Sequence, residues 1–310
     1  MENRLKKVII TGATGGVGVA LINELLLQNI NILIFQRKDS KRSNNIPKDN
    51  RIKIEYYSLE EIKDYIPQEN DYDVFFHLGW TNTQREFRDD IEKQEENIRY
   101  SCDAVELAYR MGCHTFIGTG SQAEYGRVEK PLRGDMVCNP ETAYGIMKLC
   151  ACYATRFLCN QHGIRHVWVR ILSGYGLYDN PDSMLIANII KSINHEKLAF
   201  SKGEQIWDFT YMDDIADALL AVARYGKDGA IYPIGSGEAR PLKEYMRILC
   251  DALGEDYTEA IGKVPYSKKQ IMYLEADNSE ILKDTGWKPE VSFDEGIKKV
   301  ITFYRELINV

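Results

Sequence analysis

Short apolar, β-branched runs recur along the first two-thirds of the chain, and several are followed by a stretch with helical spacing. Val8-Ile-Ile10 predicts a strand that breaks into Thr11-Gly-Ala-Thr-Gly-Gly-Val-Gly18, after which Val19 to Leu27 has helical apolar periodicity. Ile30 to Phe35, Ile52-Lys-Ile-Glu-Tyr56 and Val74-Phe-Phe-His-Leu78 read as three further strands. Glu95 to Met111 predicts an amphipathic helix stopped by Gly112 and leading into the strand Thr115-Phe-Ile-Gly118. A helix around Tyr144 precedes His166-Val-Trp-Val-Arg-Ile-Leu172, another buried-strand pattern. Alternating strands and helices imply an α/β, doubly wound parallel sheet covered on both faces, with ligands at the carboxyl ends of its strands.

Beyond Gly176 the pattern is less regular, although Asp213 to Tyr225 predicts a helix and Ile231-Tyr-Pro-Ile234 a strand that returns to the sheet. The expected division is therefore interleaved: residues 1–176 and 212–237 form a dinucleotide-binding domain, and residues 177–211 and 238–310 a smaller, mixed substrate lobe.

Hydrophobic content of 44%, charged content of 27% and a net charge of -7 describe an acidic globule with no basic excess to recruit nucleic acid or an anionic membrane. The N-terminus runs directly into a strand pattern and no apolar run reaches about 18 residues, so a cytoplasmic location is expected. Seven cysteines without a paired C-x-x-C spacing suggest neither disulfides nor a metal site, and Cys150 and Cys152 read as free and buried.

Gly12, Gly15 and Gly18 lie between the first strand and the first helix, where a dinucleotide pyrophosphate needs close backbone approach and a helix N-terminus. About 20 residues on, an acidic side chain would suit the ribose of NAD and an arginine the 2'-phosphate of NADP. Gln36-Arg37-Lys38 stands there, with Arg42 close behind, so NADP is favoured over NAD, with Asp39 as the acidic alternative. Tyr144 and Lys148 are one helical turn apart, where an ammonium would favour a phenolate and the hydroxyl of Ser121 could hold a substrate oxygen.

These residues resemble the extended short-chain dehydrogenase/reductase family, and within it the nucleotide-sugar epimerases, dehydratases and reductases. Thr11 to Gly18 looks like the cofactor loop of its Rossmann domain, His77-Leu-Gly-Trp80 its fourth-strand motif, Asn97 its central-helix asparagine and Ser121, Tyr144 and Lys148 its catalytic set. Arg170 to Gly176, Trp207 to Asp214 and Thr285-Gly-Trp-Lys-Pro289 match later family segments. The resemblance implies cofactor contacts from Gly12, Thr14, Gly15, Gly16, Val17, Gly18, Arg37, Leu78 and Gly79, together with Tyr144 and Lys148. It implies substrate contacts from Trp80, Thr81, Ser121, Gln122 and Ser173, while Arg240, Lys191 and Lys202 are cationic candidates in the second lobe for a nucleotide diphosphate.

On this resemblance Tyr144 exchanges a proton with a sugar oxygen during hydride transfer, Ser121 binds the same oxygen, and Lys148 holds the nicotinamide ribose and depresses the tyrosine pKa. Dehydratases of the group carry an Asp-Glu pair after the catalytic hydroxyl; here Gln122-Ala123 stands instead, which disfavours elimination. The expected function is reduction of a 4-keto group on a nucleotide-linked hexose. A 4-epimerase with retained NAD and a non-catalytic dinucleotide sensor are the alternatives. Trp80 either stacks on a sugar or fills the gap between lobes. Met147, Leu149, Ala151, Ala154, Phe157 and Leu158 make the Tyr144 helix apolar on several faces, and with the resemblance this suggests a homodimer.

Overall fold

The computed structural model describes residues 5–267 and 270–308. Its first half is an alternation of β1 (Lys7–Thr11), α1 (Gly16–Leu27), β2 (Asn31–Gln36), β3 (Ile52–Tyr56), β4 (Val74–His77), α2 (Ile91–Arg110), β5 (Thr115–Ser121) and α3 (Ala143–His162). There follow β6 (Arg165–Ile171), β7 (Ser173–Tyr175), α4 (Met184–Ile193), β8 (Ile206–Trp207), β9 (Phe209–Tyr211), α5 (Met212–Tyr225) and β10 (Ile231–Ile234). The chain ends in β11 (Arg240–Pro241), α6 (Leu242–Leu253), α7 (Tyr257–Ala260), α8 (Ser279–Thr285) and α9 (Phe293–Ile308).

Seven strands form one parallel sheet in the order β3-β2-β1-β4-β5-β6-β10. Period-2 alternation sends neighbouring residues of each strand to opposite faces, and both faces are apolar. Val8, Ile10, Ile32, Ile34, Val74 and Phe76 pack with α1 and α5, whereas Ile9, Leu33, Phe35, Phe75 and Phe116 pack with α2. That is why the strands read as continuous runs. The chain order reverses between β1 and β4, the position where doubly wound sheets open a ligand crevice at their carboxyl ends.

A separate apolar cluster unites α4, α6 and α9 through Leu185, Ile189, Tyr245, Leu249, Ile297 and Val300. Buried Asp208 ties the two regions by accepting from the Ser236, Gly237 and Ala276 N–H groups, and Asp214 does so from Glu290 and Val291. Helix boundaries move from the sequence expectation for identifiable reasons. α1 begins at Gly16 rather than Val19, and α2 at Ile91 rather than Glu95 because the Asp90 carboxylate caps the Lys93 N–H. Gly112 ends α2 with φ +78°, and a Cβ there would meet the Asn70 carbonyl at 1.9 Å. Gly112→Ala is expected to lower the melting temperature by several degrees, a strained φ and a backbone clash together costing about 1–3 kcal/mol; an unchanged melt would contradict it.

Candidate functional site

The loop after β1 is shaped by backbone crowding on one side and open space on the other. Gly12 takes φ +75°, and a Cβ on it would lie 2.6 Å from the Gly79 nitrogen and the Leu78 carbonyl carbon at the tip of β4. A Cβ on Gly18 would lie 2.6 Å from the Gly12 oxygen, and one on Gly16 would run into Met212 and the Leu177 carbonyl. Gly15 differs: its Cβ would meet only the Gly12 oxygen at 3.8 Å. It is also the N-cap of α1, with no side-chain cap over the first turn at Gly16, Val17 and Gly18. Uncapped N–H groups at a helix N-terminus, fronted by an open glycine, are what a pyrophosphate requires, so the residues present fit a dinucleotide. The Thr14 carbonyl accepts from Asn45 Nδ2 at 3.1 Å, which holds the far wall of the loop.

At the tip of β2, Arg37 is exposed, and the residue before it is the more constrained one. Gln36 is buried; its Nε2 donates to Ser43 at 3.3 Å, and its Oε1 has no partner. Gln36 thus occupies the end of the strand where an NAD-binding carboxylate is expected.

The loop is joined to β4 by a hydrogen-bond chain with a determined tautomer. Ser101 spends its proton on the Asn97 carbonyl at 2.7 Å, so it accepts from His77 Nε2 at 3.1 Å. His77 Nδ1 then accepts from Thr11 Oγ1 at 2.9 Å, and the same Thr11 oxygen accepts the Gly79 N–H at 3.3 Å. Burial, with the Lys148 charge adding to it, holds the His77 pKa down at about 3, so this ring is neutral and structural. Asn97 Oδ1 accepts from the Thr81 N–H at 2.7 Å and from its hydroxyl at 3.0 Å, fixing the segment past β4.

Ser121, at the end of β5, is placed by Glu124. The Glu124 carboxylate accepts the Ser121 N–H at 2.8 Å, and the Ser121 hydroxyl accepts the Ala123 N–H at 3.2 Å, a capping box over the turn that follows. Glu124 is itself fully buried, paired with Arg170 Nε at 2.6 Å and accepting from Trp168 Nε1 at 3.1 Å. Gln122 and Ala123 occupy the turn between Ser121 and this carboxylate.

Tyr144 opens α3 behind the Thr142 N-cap, and the Ser121 hydroxyl is close enough to its phenol to act on its pKa. Desolvation pushes the phenol above its usual pKa, against the pull of Arg88 and the Ser121 contact. Arg88 Cζ lies 4.9 Å from the Tyr144 ring centroid, and the Trp80 ring meets Tyr144 edge-on at 6.0 Å. Lys148 is buried. Its Nζ donates to the Thr119 carbonyl at 2.8 Å, sits 3.9 Å from the Trp80 ring centroid and 5.9 Å from that of Tyr144, and burial brings its pKa down to about 7. Arg88 thus lies closer to the Tyr144 ring than Lys148 does, and its charge pulls the phenol pKa down.

Trp80 donates Nε1–H to Gln94 Oε1 at 2.9 Å and packs against Ala151, Cys152 and Trp168, so it fills the gap between elements. A cavity of about 440 Å³ opens beyond β7, walled by Phe200, Trp207, Phe209, Leu242 and Met246 and edged by Arg85, Asp179 and Ser173. Ser173 accepts from Trp207 Nε1 at 2.9 Å. Burial raises the Asp179 carboxyl to about 6, with the Asn180 N–H and the Ser183 hydroxyl opposing the shift. Arg240, Lys191 and Lys202 are not among the residues lining this cavity; Arg240 lies over the Tyr245 ring at 4.8 Å and pairs with Glu238. Sequence reasoning missed Arg88, Gln94 and the Glu124–Arg170 pair, and placed Gln36 without its burial.

A doubly wound sheet with a glycine loop at β1 and Ser121, Tyr144 and Lys148 gathered at the carboxyl edge of β5 defines the short-chain dehydrogenase/reductase class. The chain belongs to the NAD dependent epimerase/dehydratase family, whose model matches residues 8–235. It is 25% identical over 319 residues to a dTDP-4-dehydro-6-deoxyglucose reductase of Escherichia coli, covering 98% of this chain and 99% of that one. Its fold resembles that of a UDP-glucose 4-epimerase from Thermotoga maritima solved with UDP-glucose, with a TM-score of 0.86, 20% identity and coverage of 97% and 99%. A dTDP-glucose 4,6-dehydratase from Streptomyces venezuelae, solved with NAD, gives a TM-score of 0.87 at 19% identity, covering 97% of each chain.

Proposed function

We propose that this protein is a nucleotide-sugar oxidoreductase that reduces a 4-keto group on a nucleotide-linked hexose. The observation that carries the reading is the turn after Ser121. Gln122 and Ala123 offer no acid or base, and the nearby carboxylate, Glu124, is withdrawn into a buried pair with Arg170. Elimination of water across a sugar ring needs an acid and a base at that place; protonation of a carbonyl oxygen during hydride transfer needs only Ser121 and Tyr144. The full-length similarity to a reductase supports the same choice.

The backbone N–H groups of Gly16, Val17 and Gly18 would hold the pyrophosphate, with Gly12, Thr14, Leu78 and Gly79 shaping the loop around it. The nicotinamide ring, when bound, supplies or accepts the hydride. Ser121 donates to the carbonyl oxygen, Tyr144 delivers the proton to it, and Lys148 orients the nicotinamide ribose. Trp80 closes the site beside Tyr144, Thr81 and Gln122 would contact the sugar, and Ser173 borders the cavity that would take the nucleotide. The substrate lobe in this reading is residues 177–211 and 238–310, and Arg240 reaches substrate only if its contact with Glu238 gives way. Gln36 in place of a carboxylate and exposed Arg37 favour NADP over NAD.

Gly15→Ala separates cofactor binding from folding. The added methyl meets no steric obstacle, so the melting temperature should hold while NADPH affinity falls about tenfold, because the methyl stands where a phosphate would approach. Equal affinity by fluorescence titration would refute this placement. Incubation with nucleotide-linked 4-keto sugars, following NADPH or NADH absorbance and product configuration, tests the function itself. Cofactor consumption supports reduction, product change without it supports a 4-epimerase, and neither supports a dinucleotide sensor. Tyr144→Phe should cut turnover about 10²–10⁴-fold with NADPH binding retained.

A homodimer belongs to the same proposal. Ile146, Cys150, Tyr153 and Phe157 recur at helical spacing along α3 and are all exposed, so Cys150 is not buried as its apolar neighbourhood suggested. A second copy covering this stripe would bury it, and a monomeric sedimentation mass at micromolar concentration would count against it. Among the described residues no helix is long and apolar enough to cross a membrane, and a cytoplasmic location accords with the proposed substrate.

A further inference from the structure

We propose that Arg88 is a positioning residue for proton transfer, holding a full positive charge over the Tyr144 ring so that the phenolate is favoured; this rests on Tyr144 being the proton donor of the proposed reduction. The segment that carries Arg88 is fastened on three sides. Its own carbonyl accepts the Tyr144 N–H at 2.8 Å, in the first turn of α3, where a backbone donor has no helical partner. Buried Gln94 accepts from Trp80 Nε1 and donates to the Asn82 carbonyl at 2.7 Å and the Phe87 carbonyl at 3.0 Å, closing the segment into a loop against α2. Asn97 fixes Thr81 at its root. A planar guanidinium at 4.9 Å from a ring centroid is within reach of a cation–π contact, which strengthens when the ring becomes an anion.

The other charged and titratable groups around Tyr144 are placed differently. Lys148, on the same helix, donates to the Thr119 carbonyl, faces the Trp80 ring and lies farther from the Tyr144 ring, at 5.9 Å from its centroid. Glu124, from the β5 side, opposes the phenolate and is neutralised by Arg170. Ser121 acts on the phenol without charge. Arg88 is solvent-exposed, so its influence is screened by salt, whereas that of a buried cation would not be.

The test compares wild type, Arg88→Gln and Arg88→Lys. The Tyr144 phenol is titrated by ultraviolet difference spectroscopy, each protein being referenced to its Tyr144→Phe counterpart, with no substrate present. Turnover is then followed against pH. Arg88→Gln should raise the phenol pKa by about half a unit or more and lower kcat about threefold at neutral pH, with KM, NADPH affinity and melting temperature unchanged. Arg88→Lys should recover part of both, and added salt should move the wild-type phenol toward the Gln variant. An unmoved phenol in Arg88→Gln overturns the proposal, as does a rate loss expressed wholly in KM. A phenol shift in a protein that turns over no keto-sugar would support the role of Arg88 and refute the proposed reaction instead.

Discussion

Glu124→Ala is expected to be the most destabilising single change in this protein, lowering the melting temperature by about 6 °C or more. The carboxylate is fully buried and serves three donors: Ser121 N–H, Trp168 Nε1–H and Arg170 Nε–H. Breaking a buried pair by removing one partner costs about 3–5 kcal/mol, because the remaining charge is left without compensation. Here that charge is a guanidinium with almost no solvent contact, whose remaining Nη1 already lacks a partner and whose other neighbour is the Tyr125 ring at 4.3 Å. A chain of this length converts that cost at about 2–4 °C per kcal/mol. The companion variant Glu124→Leu/Arg170→Met removes both charges and should recover most of the loss. It should not recover turnover, because the Ser121 N–H would still lack its acceptor and the hydroxyl its fixed rotamer. Calorimetric melts of the single and double variants, with turnover alongside, would check both halves. A double variant no more stable than Glu124→Ala would mean that the ion pair is not the source of the loss.

That pair also marks where sequence reading ends. Val8-Ile-Ile10 or Val74-Phe-Phe76 declares a doubly covered strand locally, since each residue meets one face or the other and both faces are apolar. The glycine spacing after β1 and the one-turn separation of Tyr144 and Lys148 are equally local, and the fold brings them to one edge as the spacing suggests. Glu124 and Arg170 lie 46 positions apart, and nothing in either segment marks them as partners. Gln94 looks like an ordinary polar position of an amphipathic helix, yet it is buried because the Trp80–Phe87 segment folds back over it. The α3 helix misleads for the opposite reason. Its apolar residues are spread around the axis, but the sheet and α2 cover most of them and leave one stripe, through Tyr153 and Phe157, uncovered. Arg88 carries its weight only through where its segment lands, on the first turn of α3, and the periodicity of α2 and α3 does not encode that contact.

Lys148→Met is expected to abolish activity while making the cofactor-free protein more stable. The amine is nearly inaccessible to solvent, and burial has brought its pKa from 10.5 to about 7, with the Glu124 charge only partly opposing the shift. The sign follows from proton counting. Between pH 7 and 10.5 the unfolded chain holds a proton on this lysine that the folded chain has released, so stability rises with pH across that window. Below pH 7 both states are protonated and the full penalty of a buried ammonium is present. Methionine fills the same volume without that penalty, losing only the hydrogen bond to the Thr119 carbonyl, for a net gain of about 1–3 kcal/mol at pH 7. The advantage should be full at pH 6 and should shrink toward pH 10, a trend visible in melts at stepped pH. Turnover should fall by about 10³-fold or more, since the side chain proposed to orient the ribose beside Tyr144 would be gone. A residue whose removal stabilises the fold and ends the reaction is retained for the reaction. If Lys148→Met were instead less stable at every pH, the hydrogen bond to Thr119 would outweigh the desolvation, and the lysine would have to be read as a structural strut between α3 and β5.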